Sequence, residues 1–245
     1  MRVTLLTLLF VLITPAQAGV ISIVIDDLGY SQSMGNRVMR LPANVTLSIL
    51  PSTPYADTIL EKAKKSGHEV MLHLPMQAKQ HAPEEPHTFT LSMSEQELKN
   101  KLYDLLTRYP DIAGVNNHMG SRLTSSANTM AWLMQALAEQ DNLFFLDSRT
   151  TADTIAESTA TEYLIPTTSR DIFLDNSPNS YDDISKQLKR LSQQAKETGF
   201  ALAIGHPNAI TLKVLEAELP KILNDGVELL PVSEYIKRKN AFSPD

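Results

Sequence analysis

The chain of 245 residues has no cysteine, a single tryptophan and no basic cluster beyond the "KRK" of Lys237–Lys239. Without cysteine there can be no disulfide framework, and no thiol is left to mispair in an oxidising compartment. Lysine and arginine number 22 against 28 acidic residues, for a net charge of −6. That balance, with no basic stripe, excludes nucleic acid as a partner; the KRK run reads as the solvated end of a helix. Trp132 falls inside a helical pattern and reads as core. Long apolar runs are also missing, with one exception at the start, "MRVTLLTLLFVLITPAQA". Arg2, the apolar stretch from Leu5 to Ile13 and Ala16-Gln17-Ala18 have the three parts of a secretory signal peptide. The run falls short of the about 20 residues a membrane span needs. The expectation is a cleaved leader over residues 1–18 and an exported, periplasmic domain over residues 19–245, with no integral span after cleavage. An uncleaved anchor is the alternative.

What is present is a rhythm. Short apolar runs at 20–25, 45–50, 70–74, 112–115, 143–146, 172–174, 201–204 and 227–229 read as strands. Between them, residues 55–66, 94–109, 126–140, 181–198 and 209–224 carry apolar residues at helical spacing. In "SEQELKNKLYDLL", Leu98, Leu102, Leu105 and Leu106 mark one helix face, and Ser94 with Glu97 makes a capping box. Apolar strands alternating with helices predict an α/β fold with a parallel sheet, here a distorted (β/α) barrel of seven or eight strands. An open doubly wound sheet is the alternative. Ala78–Thr90 is a long loop of the kind that is usually functional, and residues 150–168 form a second irregular region that could hold a short helix.

The chemically active residues fall at the downstream ends of these strands: Asp26-Asp27, His73, Asn116-Asn117-His118, Asp147, Asp175 and His206. In parallel α/β folds those ends form one rim, where sites are built. Each residue also has an ordinary reading. Asp147 and Asp175 could be helix caps or Asx turns, His73 a core histidine and His206 a turn former. His68 has no assigned role, and His81 and His87 lie in the long loop. Taken together, carboxylates and histidines on one rim suit a divalent metal, zinc first, with three protein ligands. A cation there would offset the repulsion between Asp26 and Asp27. Alternate strand residues point to opposite faces, so both carboxylates reach one cavity only if the strand has begun to turn. A glycosidase using two carboxylates from Asp26, Asp147 and Asp175 is a weaker option.

"VIDDLGYS", "GHEVMLHLPM", "GVNNHMGSRLT", "FFLDSRT" and "AIGHP", in that order, resemble the divergent polysaccharide deacetylases, distant relatives of the NodB-like carbohydrate esterases. The resemblance runs from Val20 to Leu230. It implies a NodB-like barrel and metal-dependent removal of an N- or O-acetyl group from an envelope or exported glycan. It also implies Asp26 as general base, Asp27 and His73 as metal ligands and His206 as general acid, with Asp147 and Arg149 orienting the acid and tuning the base. Arg149 or Arg170 is a candidate for holding Asp26 ionised. The chain departs from the pattern at Gln77, where the relatives carry a second histidine. His118 is the candidate for the missing ligand. The alternative is a non-catalytic envelope protein that keeps the barrel for carbohydrate or partner binding. Sugar platforms would have to come from Tyr30, Tyr55 or Phe89.

Overall fold

A run of β-branched residues opens the fold. Val20–Leu28 (β1) pairs on one side with Thr46–Ile49 (β2) and on the other with Phe200–Gly205 (β8), all parallel. The computed structural model describes residues 19–80, 85–175 and 180–242. The expected leader at 1–18 and His81 lie outside them. Val70–Met76 (β3), Gly114–Met119 (β4), Phe144–Asp147 (β5) and Thr167–Ser169 (β6) continue the sheet beyond β2. Ile172–Phe173 (β7) extends it beyond β8, giving the order β6-β5-β4-β3-β2-β1-β8-β7, with Glu228–Leu229 (β9) added on β1.

The sheet curls, because residues on distant strands share one core. Met71, Phe144, Leu146, Leu202 and Ile204 pack together although four strands separate β5 from β8. Their neighbours on the same strands, such as Leu72, Phe145 and Ala203, face the other way into a second core together with Ile21 and Ile23 of β1. That core is covered by helices that include Ala56–Lys65 (α2), Glu95–Arg108 (α3), Ala127–Ala138 (α4), Tyr181–Thr198 (α6) and Ala209–Asn224 (α7). Two-residue alternation thus builds a two-layer barrel from one sheet. Gln32–Val38 (α1) and Ala156–Glu162 (α5) are short. The final helix, Val232–Phe242 (α8), sends Tyr235 and Ile236 into the inner core and carries the KRK sequence near its end.

Each of the eight anticipated strands is present, with shifted bounds. The ninth is β6, whose Thr-Thr-Ser sequence lacks an apolar signature; it lies in the region read as irregular, which also holds α5. The sheet order ends at β6 and β7, so the barrel is left open there. Consecutive residues bridge the gap: Arg170 N–H donates to Asp147 O at 3.0 Å and Asp171 N–H to Leu202 O at 2.9 Å. The capping box is formed, since Ser94 accepts from Glu97 N–H and Glu97 in turn accepts from Ser94 N–H at 2.8 Å. Among the described residues, no helix is long and apolar enough to cross a membrane.

Candidate metal centre

The adjacent aspartates both approach His73 because β1 bulges under them. Ile25 pairs with Leu47 and Leu28 with Ile49, so three steps along β1 match two along β2. Asp27 absorbs the extra residue with φ 56°, a left-handed conformation costing a non-glycine residue about 1 kcal/mol or more. Met119 (φ 53°) and Arg149 (φ 49°) adopt the same conformation at the ends of β4 and β5. Strain of this kind collects on the rim where the polar side chains gather.

Three ligand-type atoms converge there. Asp27 Oδ1 lies 2.9 Å from His118 Nδ1 and 3.2 Å from His73 Nε2, and the two ring nitrogens are 3.3 Å apart. Tetrahedral ligands about 2.0–2.1 Å from a zinc ion stand about 3.3–3.4 Å from one another, so the triangle is of the right size. Asp27 Oδ1 is buried, and no hydrogen bond with acceptable geometry reaches it among the described residues; His118 Nε2 is in the same condition. Burial pushes the Asp27 carboxyl up, but the two imidazoles outweigh this and hold it well below the usual carboxylate range. An ionised oxygen and two imidazole nitrogens form a donor set that fits a divalent metal, zinc above all.

Asn116 sets the chemistry of this triangle from below. Its Nδ2 donates to Asp26 Oδ1 at 2.9 Å and to Ser148 Oγ at 3.1 Å. Its Oδ1 accepts from Ser48 Oγ at 2.7 Å and from His73 Nδ1–H at 2.7 Å. The Asp26 carboxylate demands the amide N–H₂ on its side, so the amide oxygen must face His73. This fixes the proton on Nδ1 and leaves the Nε2 lone pair pointing at Asp27. Burial pushes the His73 pKa down, but the Asp26 and Asp27 charges more than reverse the shift. Asp26 itself is buried, with Oδ2 3.5 Å from His73 Nε2.

His206 stands on the opposite side, its Nε2 3.7 Å from Asp27 Oδ2. Its Nδ1–H donates to Asp175 Oδ1 at 2.9 Å. Asp175 Oδ2 accepts from His206 N–H, Asn208 Nδ2 and Thr211 Oγ1 at 2.7, 3.0 and 2.8 Å. Burial opposes protonation of His206, yet the Asp175 hydrogen bond and the nearby carboxylates raise its pKa from 6.5 to about 9. Phe173 packs against the ring at a centroid distance of 5.2 Å.

Other expected residues make no direct ion pair with this cluster among the described residues, although the Asp26 charge is felt at Arg170. Asp147 accepts from Arg149 N–H and Thr154 Oγ1, each at 2.8 Å, and shapes the β5 loop rather than touching His206. Burial raises its pKa. Arg149 is exposed. Arg170 lies over the Phe173 ring at 4.9 Å and donates to the Ser148 and Arg149 carbonyls. Gln77 turns outward, its Oε1 accepting from Leu91 N–H at 2.9 Å, so it ties down the long loop and His118 occupies the third corner. Phe89 is fully buried and is no sugar platform. Sequence reasoning missed Ser48 and Ser148 altogether, and placed Asp175 on the rim as a cap or a glycosidase carboxylate without pairing it with His206.

Comparison with known proteins gives a consistent family and fold. Residues 23–236 match the family model described as "Divergent polysaccharide deacetylase". The uncharacterized protein YibQ of Escherichia coli (strain K12) is 39% identical over 208 residues, which cover 85% of this chain and 65% of the relative. The chain therefore spans about two thirds of that relative's length. The crystal structure of an uncharacterized protein from Agrobacterium tumefaciens C58 is similar at a TM-score of 0.84 and 22% identity, covering 90% of each chain. The catalytic domain of a peptidoglycan N-acetylglucosamine deacetylase from Eubacterium rectale ATCC 33656 shares the fold at a TM-score of 0.50 and 11% identity, over 89% of this chain and 90% of that one.

Proposed function

The chain belongs to the divergent polysaccharide deacetylase family, and on that premise we propose that it is a metal-dependent hydrolase removing N- or O-acetyl groups from an exported glycan of the cell envelope. The observation that carries this reading is the triangle of Asp27 Oδ1, His73 Nε2 and His118 Nδ1, flanked by a carboxylate on one side and a polarised imidazole on the other. A site that only stored a metal would need neither flank.

Asp27, His73 and His118 would hold the ion. When bound, a divalent metal supplies a Lewis acid for the acyl oxygen and lowers the pKa of a coordinated water toward about 7. Asp26, steadied by Asn116, accepts the proton that the attacking water loses as its oxygen adds to the acyl carbon. His206 enters protonated, with Asp175 holding Nδ1–H and so directing Nε2–H into the cavity. It passes that proton to the departing nitrogen or oxygen as the acyl bond breaks. The orienting role expected of Asp147 is thereby assigned to Asp175, and Asp147 and Arg149 support the loop beside Ser148.

Export to the periplasm is part of the proposal and rests on the leader sequence. Gln77 favours a second reading, a non-catalytic envelope protein that keeps the barrel for binding. Acetate release from acetylated amino-sugar oligomers separates the two. The hydrolase reading predicts metal-dependent release by the wild type, and none by Asp26→Asn even though that variant keeps its metal. A metal-loaded wild type that releases no acetate would support the binding protein instead.

A further inference from the structure

We propose that Tyr30 and Tyr55 form a stacking platform at the mouth of the metal centre for the neutral pyranose next to the acylated sugar of an N-acetylhexosamine chain. This deepens the glycan reading above and rests on it. Aromatic residues make up 6% of the chain. Among the described residues, the exposed aromatic rings are Tyr30 at 50%, Tyr55 at 37% and Phe242, which packs on Phe200. The first two follow turns that meet at the rim, where Tyr55 N–H bonds the residue before Tyr30.

Both rings ride on interlocked turns. Gly29 follows the Asp26-Asp27 bulge with φ 130°, and a Cβ there would fall 1.8 Å from Thr53 Oγ1, so only glycine fits against the β2–α2 turn. Thr53 Oγ1 donates to Leu50 O at 2.8 Å, and Tyr55 N–H donates to Gly29 O at 2.9 Å. Tyr30, the next residue after Gly29, gives its hydroxyl proton to Glu85 Oε2 on the long loop. That bond pushes the phenol pKa up to about 12.

A charge-assisted hydrogen bond therefore restrains a ring that is half open to solvent. The free protein gains little burial from fixing this rotamer, whereas a ligand that stacks on the Tyr30 ring meets a surface whose conformational freedom that bond already reduces. Tyrosine offers such a ligand an apolar face beside a polar edge, the pattern that a pyranose presents in return. Glu85 and Asp27 next to the ring, on a chain of net charge −6, oppose an anionic ring.

The test is calorimetric titration of metal-loaded Asp26→Asn protein, in which turnover is stopped, with a β-1,4-linked N-acetylglucosamine tetramer. Tyr30→Ala and Tyr55→Ala should each weaken binding about tenfold, and Tyr30→Phe, which keeps the ring, by less than about threefold. Affinity within twofold of the parent in both alanine variants would overturn the platform. So would a parent that binds no tetramer, or one that binds a uronic-acid tetramer more tightly through Tyr30. The two readings fail separately. Tyrosine-dependent binding without acetate release from the wild type sinks only the hydrolase, and acetate release with tyrosine-independent binding sinks only the platform.

Discussion

The inward face of the barrel divides into two halves with opposite chemistry along the same strands. Counting by two along β1 gives Val20, Ser22, Val24 and Asp26; β3 gives Met71 and His73; β5 and its continuation give Phe144, Leu146 and Ser148; β8 gives Leu202, Ile204 and His206. The lower residues form an apolar plug closed by Tyr235 and Ile236 of α8. The upper residues form the Asn116 network and the metal triangle. Among the described residues the lower half leaves the Ser22 and Tyr235 hydroxyls without partners, while Asn116 in the upper half uses all four of its hydrogen-bonding positions. The lower half holds the sheet in its curl. The upper half uses that rigidity to keep like-charged and lone-pair atoms closer than they would choose, a configuration that a cation stabilises.

The comparison is broken most severely by placing upper chemistry in the lower half. Leu202→Asp puts an unpaired carboxyl in the plug and should prevent folding at 37 °C, read as loss of a cooperative thermal transition. Leu202→Ala, the milder control, should cost about 2–5 kcal/mol by denaturant titration while leaving metal affinity unchanged. In the upper half, Asn116→Ala releases the His73 tautomer and strands Ser48 and Ser148. Metal affinity should fall about 10- to 100-fold, measured by competition with a chelating dye.

The Asp175–His206 pair sharpens the contrast through pH. In metal-free protein the folded-state pKa of His206 is raised from 6.5 to about 9. Its contribution to stability is therefore complete below pH 6.5 and is lost as pH rises through about 9. Thermal melts should show that decline in the wild type, and Asp175→Asn should flatten it. The smallest effect belongs to Gln77→His, which restores the histidine of the wider family. Gln77 faces Leu91 rather than the triangle, so metal affinity should change less than about threefold.

Much of this was legible in the residues. Asp26, Asp27, His73, His118 and His206 could be placed on one rim, because parallel strands end on one side and each of these residues falls at or near the downstream end of its apolar run; His73 proves to sit in the middle of β3, which runs on to Met76. The assignment between Asp147 and Asp175 could not be read. "FFLD" and "IFLD" look alike, and only the pairing of Phe173 with Ile204 sets Asp175 beside His206. Asn116 was named on the rim, but its partner Ser48 and the network between them were obscured for a related reason. A polar residue inside a strand has no pattern of its own, and its partners lie 68 positions apart in the chain. β6 escaped notice because threonine and serine carry no hydrophobic period. Phe89 looked like loop material but anchors the returning end of that loop, its N–H donating to Pro75 O at 2.7 Å.

The most direct test of the central claim is the metal content of protein purified without added metal or chelator, by elemental analysis, beside Asp27→Ala. The account predicts close to one divalent transition metal per wild-type chain, zinc first, and almost none in the variant. Equal metal in both proteins, or none in the wild type even after titration with zinc, would contradict it.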